Sequence, residues 1–368
     1  MECKDYRGQQ ISRLGMGNMR LPCTDGHFGS AIDYPAAEAV IDRAMAGGIT
    51  YYDTAWVYHG GNSESFLGDA LVSRYPRESF QLATKFNVKA EPDFEKVFET
   101  QLERLKTDYI DFYLIHAMMD NSIETYLSSG CIDYLTRQRE LGRIRNLGFS
   151  SHATPDTLRR FVGEADWDFA QIQLNYLDWA YSTAREEYEI LEAAGLPIVV
   201  MEPCRGRKLA DLSDAANGML RAAHPDWSIA SWAFRWVRSL PQVQVVLSGM
   251  NTVEQVDDNV ATFSDPVALS ADDERVLWQA CESFHAENTV PCTACRYCVD
   301  GCPMEIDIPG MLAQYNRFRL GSGGALERTK DLDGGMAADC VGCGQCVDVC
   351  PQGIEIPTIL AEIAEKLA

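Results

Sequence analysis

The sequence lacks both a long apolar run and the basic-then-apolar start of a secretory signal peptide. It begins Met1-Glu2-Cys3-Lys4, and no apolar stretch approaches the length of a membrane span. It is also short of positive charge, with 32 Lys and Arg against 54 Asp and Glu and a net charge of −22. Nucleic acid phosphates would repel such a surface. The sequence therefore predicts a cytoplasmic protein that binds neither membrane nor nucleic acid.

Cysteine is abundant instead, and eight of the thirteen cysteines follow Val290. They form two copies of the pattern C-x2-C-x2-C-x3-C-P, 48 residues apart. Thiolates are the soft ligands that iron–sulfur clusters need, and in this pattern three cysteines bind one cluster while the fourth binds the other. The sequence therefore predicts two 4Fe-4S clusters. The implied ligand sets are Cys292, Cys295, Cys298 with Cys350, and Cys340, Cys343, Cys346 with Cys302.

Two other uses of paired cysteines remain open at this point. C-x2-C pairs also build zinc sites, and cysteines can form a disulfide framework. A third and a fourth cysteine followed by proline, twice over, are not typical of zinc. The halves also share an I-x-I-P tail, at 306–309 and 354–357. Residues 292–368 resemble the bacterial two-cluster ferredoxins, which implies a small, mostly helical domain over residues 286–368.

Residues 1–285 alternate short apolar runs with amphipathic stretches. The predicted strands cover residues 12–16, 49–54, 80–86, 110–116, 144–150, 169–175, 198–202 and 243–248. The predicted helices cover residues 36–46, 65–73, 94–105, 131–141, 155–162, 185–194, 228–237 and 252–261. Eight such units predict an α/β fold, the (β/α)8 TIM barrel, with its active site where strands end. A doubly wound open sheet fits poorly because the chain lacks a leading glycine-rich dinucleotide turn.

Four titratable side chains fall at or just after the ends of three successive predicted strands: Asp53, Tyr58, Lys85 and His116. A phenol is too weak an acid to protonate a substrate oxygen at neutral pH unless a cation stabilises its anion, so Tyr58 needs Lys85. Asp53 would hold that ammonium, and His116 would orient a carbonyl whose oxygen gains charge. Singly, the residues have structural alternatives: a turn cap for Asp53, a solvated end for Lys85 and a core position for His116.

Five further motifs are spread along the barrel part of the chain. They are G-M-G-N-M-R from 15, G-I-T-Y-Y-D-T-A from 48, N-S-E from 62, G-R-I-R-N-L-G-F-S from 142 and Q-I-Q-L-N-Y from 171. With these motifs the chain resembles the aldo-keto reductase family, in its branch with a ferredoxin-like C-terminal domain. The resemblance implies that the family's four catalytic residues correspond to Asp53, Tyr58, Lys85 and His116.

The resemblance also implies a binding site for a nicotinamide cofactor. By analogy, Ser150, Ser151 and Gln171 contact the nicotinamide carboxamide. The segment 248–259 surrounds the adenosine end of the cofactor. Its candidate residues are Ser248, Gly249, Gln255 and Asn259.

The chain departs from the family pattern around this cofactor site. Nicotinamide-dependent members usually have a ring-stacking Tyr and then a Ser after strand seven, where this chain has Met201 and Glu202. Members that prefer the 2'-phosphate present Lys and Arg where this chain has Gly249 and Gln255, so NADH is favoured over NADPH. A basic cluster near the barrel mouth either binds the phosphates of a dinucleotide or flavin or is a solvated loop. This cluster comprises Arg205, Arg207 and Lys208.

These observations together predict an oxidoreductase that interconverts a small-molecule carbonyl and alcohol, with clusters that exchange single electrons with a redox partner protein. Hydride transfer moves two electrons at once, so a flavin between clusters and substrate is one alternative. A non-catalytic electron carrier or redox sensor is another, although the four intact catalytic residues argue against it. Cys204, near the barrel mouth, is open as a redox or substrate contact.

Overall fold

In the computed structural model, which describes residues 1–26, 30–265, 267–322 and 324–368, eight parallel strands close into a barrel. The barrel strands follow one another in chain order, and the last one, Val243–Ser248, closes the barrel by pairing with the first, Leu14–Gly17. The TIM-barrel prediction is therefore confirmed, and the open sheet is excluded. The strands are β1 (Cys3–Tyr6), β2 (Gln9–Ser12), β3 (Leu14–Gly17), β4 (Tyr51–Asp53), β5 (Gln81–Phe86), β6 (Ile110–Met118), β7 (Ile144–Ser151), β8 (Phe169–Gln173), β9 (Ile198–Met201) and β10 (Val243–Ser248).

Helices connect the strands and cover the outside of the barrel, as parallel strands require. None of the helices in the described ranges is long and apolar enough to cross a membrane. They are α1 (Tyr34–Ala46), α2 (Asn62–Leu67), α3 (Phe94–Leu105), α4 (Ile123–Ser128), α5 (Cys131–Glu140), α6 (Pro155–Val162), α7 (Tyr176–Tyr181), α8 (Ala184–Ala193), α9 (Asp214–Ala223), α10 (Ile229–Ser239), α11 (Val253–Ser264), α12 (Ala271–Asn288), α13 (Ile308–Arg319), α14 (Gln345–Asp348) and α15 (Ile356–Leu367).

The helix predicted over residues 65–73 differs in the structure. The α-helix α2 gives way at Gly68 to a wider helical turn, Gly68–Val72. A Cβ on Gly68 would lie 2.1 Å from the carbonyl oxygen of Arg104 near the end of α3. Glycine is therefore required for this close approach of two backbones, which brings α2 against α3 beside the loop that carries Tyr58.

The antiparallel pair β1 and β2, which the sequence analysis missed, contributes to the interior of the barrel. Tyr6 and Ile11 from this pair are buried in one cluster with barrel residues such as Phe112 and Phe169. The Tyr6 hydroxyl donates to the carbonyl oxygen of Asp168, just before β8, at 3.0 Å. The hairpin thus packs at the amino-terminal ends of the strands, and the opposite end carries the titratable residues.

The structure divides into two compact units that differ from a simple split along the chain. The first comprises Met1–Cys204 and Trp227–Glu274, and the second comprises Arg205–Asp226 and Arg275–Ala368. The described residues of 286–368 contain helices α13, α14 and α15 and no strand, so a mostly helical domain is confirmed. The domain boundary after residue 285 stays a prediction.

Candidate functional site

The centre of the barrel mouth is a buried ion pair between neighbouring strands. Asp53 is the last residue of β4, and Lys85 lies near the end of β5. The Lys85 Nζ donates to Asp53 Oδ1 at 2.5 Å and to the carbonyl oxygen of Thr54 at 2.6 Å. The Lys85 side chain is fully buried, and Asp53 is 3% exposed. The ammonium is therefore fixed in position rather than solvated, which removes the solvated-end alternative for Lys85.

Tyr58 and His116 complete the group at the same end of the strands. Tyr58 opens a short 3-10 turn, Tyr58–Gly61, and the Lys85 Nζ lies 5.0 Å from the centroid of its ring. The rings of Tyr58 and His116 have centroids 5.8 Å apart and meet edge to face at 80°. All four predicted residues, from β4, β5, β6 and the loop after β4, are thus brought together.

The burial of this group sets its protonation states. Burial lowers the pKa of Lys85, but Asp53 and Tyr58 outweigh it and raise that pKa above its ordinary value. Burial also raises the pKa of Tyr58, against the opposing effect of Lys85. Burial, together with the charge of Lys85, holds the pKa of His116 well below its usual range. At neutral pH the site therefore presents an ammonium, a protonated phenol and a neutral imidazole.

Several buried polar atoms of the site lack a hydrogen-bond partner within the described residues, among them Asp53 Oδ2. His116 Nδ1 is buried and has no hydrogen-bond partner in the described part of the chain. The same is true of Gln171 Oε1, whereas Gln171 Nε2 donates to the sulfur of Met201 at 3.6 Å. Buried polar atoms in native proteins are rarely unsatisfied. The unpaired Gln171 oxygen fits a carboxamide N–H, the contact that the sequence analysis assigned to it.

The other residues assigned to the nicotinamide end are engaged with backbone. Ser150 Oγ accepts a hydrogen bond from the Ala117 amide at 2.8 Å. Ser151 Oγ accepts one from the Ala153 amide at 3.2 Å. Each hydroxyl keeps its own proton to donate after accepting one bond. Both serines can therefore still donate to a carboxamide oxygen at the end of β7.

The segment expected at the adenosine end runs from the last residue of β10 into the first turns of α11. Ser248 Oγ accepts from Asn259 Nδ2 at 3.0 Å, and Gln255 Oε1 accepts from the Asn251 amide at 2.9 Å. A Cβ on Gly249 would lie 3.3 Å from Cδ of Arg20. The sequence analysis missed this neighbouring cation because Arg20 follows β3, far from Gly249 along the chain.

The basic cluster occupies the second unit and contacts a later segment of that unit. Arg205 donates to the carbonyl oxygen of Leu320 at 3.0 Å and to Ser322 Oγ at 3.1 Å. The methylene chain of Lys208 packs where a Cβ on Gly321 would be, at 2.5 Å. Arg207 has a left-handed backbone, with φ of 80°. These contacts give the cluster a structural use, and its binding of phosphates stays a prediction.

Two residues after β9 bear on cofactor binding and redox chemistry. Glu202 has a left-handed φ of 55°, and its carbonyl oxygen accepts from Asn175 Nδ2 at 3.2 Å. Burial, assisted by Glu202, raises the pKa of Cys204 to about 12. Thiolate, not thiol, is the nucleophile and the readily oxidised form, so this rise in pKa disfavours thiolate formation at neutral pH; a redox or substrate contact at Cys204 stays a prediction.

A hydrogen-bonded network behind Lys85, which the sequence analysis also missed, supports the site. Gln101 Nε2 donates to the Lys85 carbonyl oxygen at 3.1 Å and to Glu64 Oε1 at 2.6 Å. Glu64 is fully buried and accepts from Arg104 Nη1 at 3.1 Å, and Arg104 lies over the Trp56 ring at 4.1 Å. Gln101 lies on the apolar face of α3. A polar residue on such a face is the sequence signal that could have revealed this network.

In the second unit, two cavities of similar size are each lined by four cysteines. The first cavity, of about 320 Å³, is lined by Cys292, Cys295, Cys298 and Cys350. The second cavity, of about 330 Å³, is lined by Cys302, Cys340, Cys343 and Cys346. The fourth cysteine of each sequence motif thus lies with the first three of the other. Which cysteines ligate which cluster stays a prediction.

The donor chemistry of both cavities fits an iron–sulfur cluster. Each cavity offers four thiols that surround a space, and its remaining lining is largely apolar. No three His, Cys, Asp or Glu residues in the described ranges are grouped to hold a single metal ion. All eight cysteines are free of disulfides. Soft thiolates around a shared space are what a 4Fe-4S cluster requires.

A parallel barrel with a titratable group at its mouth, joined to two cysteine-lined cavities, defines an iron–sulfur oxidoreductase. A model of the aldo/keto reductase family matches residues 13–275, and a model of the 4Fe-4S dicluster domain matches residues 291–355. The chain belongs to the aldo/keto reductase family and carries a 4Fe-4S dicluster domain. Zinc and a disulfide framework are therefore excluded as readings of the cysteine motifs.

Curated relatives match about three quarters of the chain. A probable aldo-keto reductase of Glycine max is 27% identical over 313 residues, which cover 74% of this chain and 86% of the relative. An uncharacterised oxidoreductase of Mycobacterium bovis is 30% identical over 305 residues, covering 76% of this chain and 92% of the relative. The relatives' names agree with the assignment of this chain as an oxidoreductase.

Solved structures show the same fold. The holo form of an aldo-keto reductase from Bacillus halodurans has a TM-score of 0.62 and 25% identity, covering 76% of this chain and 96% of that one. An aldo-keto reductase from Klebsiella pneumoniae, solved with NADPH, has a TM-score of 0.61 and 23% identity, covering 77% and 96% respectively. The second likeness shows the fold alone.

Proposed function

We propose that this oxidoreductase interconverts a carbonyl and an alcohol at the barrel mouth, with Tyr58 as the general acid and base. The observation that carries the proposal is the fully buried Lys85 ammonium, held at 2.5 Å by Asp53 and directed at the Tyr58 ring. A phenol that gives up its proton becomes an anion, and an adjacent fixed cation stabilises that anion. The network behind Lys85 keeps the cation in place.

His116 acts on the carbonyl oxygen. Because its pKa lies well below the usual range, its imidazole is neutral at physiological pH. A neutral imidazole donates one hydrogen bond from a ring N–H and transfers no net charge to the substrate. Such a fixed donor stabilises the oxygen as negative charge develops on it. In this proposal Tyr58 delivers the proton and His116 holds the oxygen to which the proton goes.

A nicotinamide cofactor is proposed at the mouth of the same barrel. Gln171, Ser150 and Ser151 would hold its carboxamide, and the bound cofactor supplies the hydride. NADH is favoured over NADPH because Gly249 and Gln255 carry no charge for a 2'-phosphate. Arg20, whose side chain packs beside Gly249, is a cation that opposes this preference. Residues 249 and 255, with Ser248 and Asn259, would surround the adenosine.

The clusters are proposed to relay single electrons between the protein and a redox partner protein. A reducing cytoplasm, where we expect this enzyme to act, keeps their eight thiols available. The dicluster domain also favours a second candidate: a flavin in the barrel, which exchanges one or two electrons and links the clusters to a carbonyl substrate. Met201 and Glu202, in place of the expected Tyr and Ser, support this candidate.

The experiment that separates the candidates is analysis of the anaerobically purified, cluster-loaded chain. Bound cofactors are released and identified by mass, and turnover of a panel of aldehydes and ketones is assayed with NADH and with NADPH. Carbonyl-dependent oxidation of NADH without a released flavin supports the first candidate. A released flavin with no nucleotide-dependent turnover supports the second. If the chain shows no turnover and releases no barrel cofactor, a non-catalytic electron carrier is the remaining candidate.

A further inference from the structure

The two halves of the cluster region have a left-handed backbone at three equivalent positions but differ in the residues that occupy them. In the second half these positions are glycines, with φ of 66°, 77° and 61° at 342, 344 and 353. In the first half, 48 residues earlier, they are Ala294, Arg296 and Glu305, with φ of 55°, 66° and 54°. Side chains other than glycine are strained in this region, so their presence in one half calls for a reason.

Arg296 distinguishes the two cavities by charge. It lines the first cavity together with Cys292, Cys295, Cys298 and Cys350, and among the described lining residues it is the one that carries a charge. Gly344, its counterpart, lines the second cavity, whose described lining has no charged side chain. The duplication therefore places one extra cation at the first cavity.

Other charges nearby do not cancel this difference. Arg296 Nη1 pairs with Asp307 Oδ1 at 3.1 Å, and the counterpart of Asp307 in the second half is Glu355, also acidic. The two carboxylates therefore offset each other when the halves are compared. Over residues 291–309 and 339–357 the remaining charge differences are Glu305 in place of Gly353 and Asp339, next to Cys340 of the second cavity, in place of Pro291. Glu305 lies between Met304 and Ile306, which line the second cavity, so its negative charge acts in the same direction.

Reduction of a 4Fe-4S cluster adds one electron and hence one negative charge, and local net charge is among the determinants of its potential. We propose that Arg296 makes the first cavity the place where a single electron shared by the two clusters resides. The exchange is balanced within the protein: one cluster gains the electron that the other gives up. Arg296 is 60% exposed, so solvent screens part of its effect.

The test is a reductive titration of the cluster-loaded full chain with dithionite and mediator dyes, followed by electron paramagnetic resonance. The wild type should show two midpoint potentials. R296Q, which keeps a side chain on the strained backbone but removes the charge, should lower the higher midpoint. The ratio of electron occupancy between the two clusters should change by about tenfold, which corresponds to a shift of about 59 mV in that midpoint potential for a one-electron couple. R296K should restore the wild-type value.

Two further variants make the result specific. G344R places a cation at the second cavity and should raise the lower midpoint instead. R317Q removes an exposed α13 arginine that lines neither cavity, and should change neither midpoint. The proposal is overturned if R296Q leaves both midpoints unchanged, shifts them no more than R317Q, or lowers iron content in parallel with the shift. Because the readout is a potential, the result does not depend on whether the barrel reduces carbonyls.

Discussion

The barrel mouth and the cluster cavities hold their reactive groups by different means. At the barrel mouth Lys85 is fully buried and already paired with Asp53, and a network through Gln101 and Glu64 fixes it from behind. In the cavities the thiols belong to loops, apart from Cys346 in the short helix α14, and Cys295 and Cys343 are exposed. Strand ends thus assemble a complete polar site from protein alone, whereas the cysteine loops need a metal group to join them.

Iron removal should reveal this difference between the two regions most strongly. Chelation under anaerobic conditions should destabilise the C-terminal helical region, because the buried Cys298 and Cys346 belong to its apolar core and ligation contributes to folding. Hydrogen exchange followed by mass spectrometry should show lost protection over residues 291–368 and retained protection in the barrel strands. Equal loss of protection in both regions would show that the barrel also depends on the clusters.

Lys85→Met should have the largest effect confined to the barrel. The change removes the cation that stabilises the Tyr58 anion and leaves Asp53 buried without its partner. Carbonyl reduction should fall by about 10²- to 10⁴-fold, the usual contribution of a positioned acid. Iron content should stay at the wild-type level. Lys89→Met, at an exposed lysine just after β5, is the matched control and should retain activity.

The difference in affinity between NADH and NADPH should be smaller than the loss of activity in Lys85→Met. NADH should bind about ten- to hundredfold more tightly than NADPH, since each missing charge-assisted contact is worth about 1.5 to 3 kcal/mol. Gln255→Arg should narrow the gap, and Arg20→Gln should widen it. Titration of both nucleotides against the cluster-loaded protein measures this. Tighter binding of NADPH by the wild type would refute the argument from Gly249 and Gln255.

Cys302→Ser should remove about half of the iron, a smaller loss of metal than complete chelation causes. Cys302 lines the second cavity, so the cluster held by Cys340, Cys343 and Cys346 should be lost while the other remains. Iron analysis with magnetic resonance of the reduced protein reports which signal disappears. Cys3→Ser, at an exposed cysteine outside the motifs, should leave both signals. Loss of the first-cavity signal instead would contradict the crossed arrangement.

Local patterns in the sequence account for the parts of the fold that were predicted. Buried parallel strands are short apolar runs, and the helices between them have one apolar face, so all eight strands of the barrel could be recognised. The strands β1 and β2 were not predicted because Gln9 and Gln10 give the pair an exposed, polar edge. Segment 205–226 joins the second unit through contacts that are distant in sequence, and no local pattern records them.

The candidate site was predictable where chemistry requires particular residue types at strand ends. Asp53, Lys85 and His116 met that condition, and the structure brings them together with Tyr58. The pKa shifts at the site were harder to predict from the sequence. The net rise in the Tyr58 pKa depends on burial, which only three-dimensional packing determines. Arg20 could not be connected to Gly249 because barrel closure, which places β3 beside β10, is what makes them neighbours.

The most direct test of the account is carbonyl reduction by Tyr58→Phe in the anaerobically prepared, cluster-loaded enzyme. The substitution removes one hydroxyl at the barrel mouth and no core volume, and Tyr34→Phe makes the same change on the outer face of α1, where the ring packs on Phe66. The account predicts that Tyr58→Phe loses reduction by about 10²- to 10⁴-fold with unchanged iron and sulfide, while Tyr34→Phe retains it. Turnover by Tyr58→Phe close to that of Tyr34→Phe would contradict the assignment of the barrel mouth as the catalytic site.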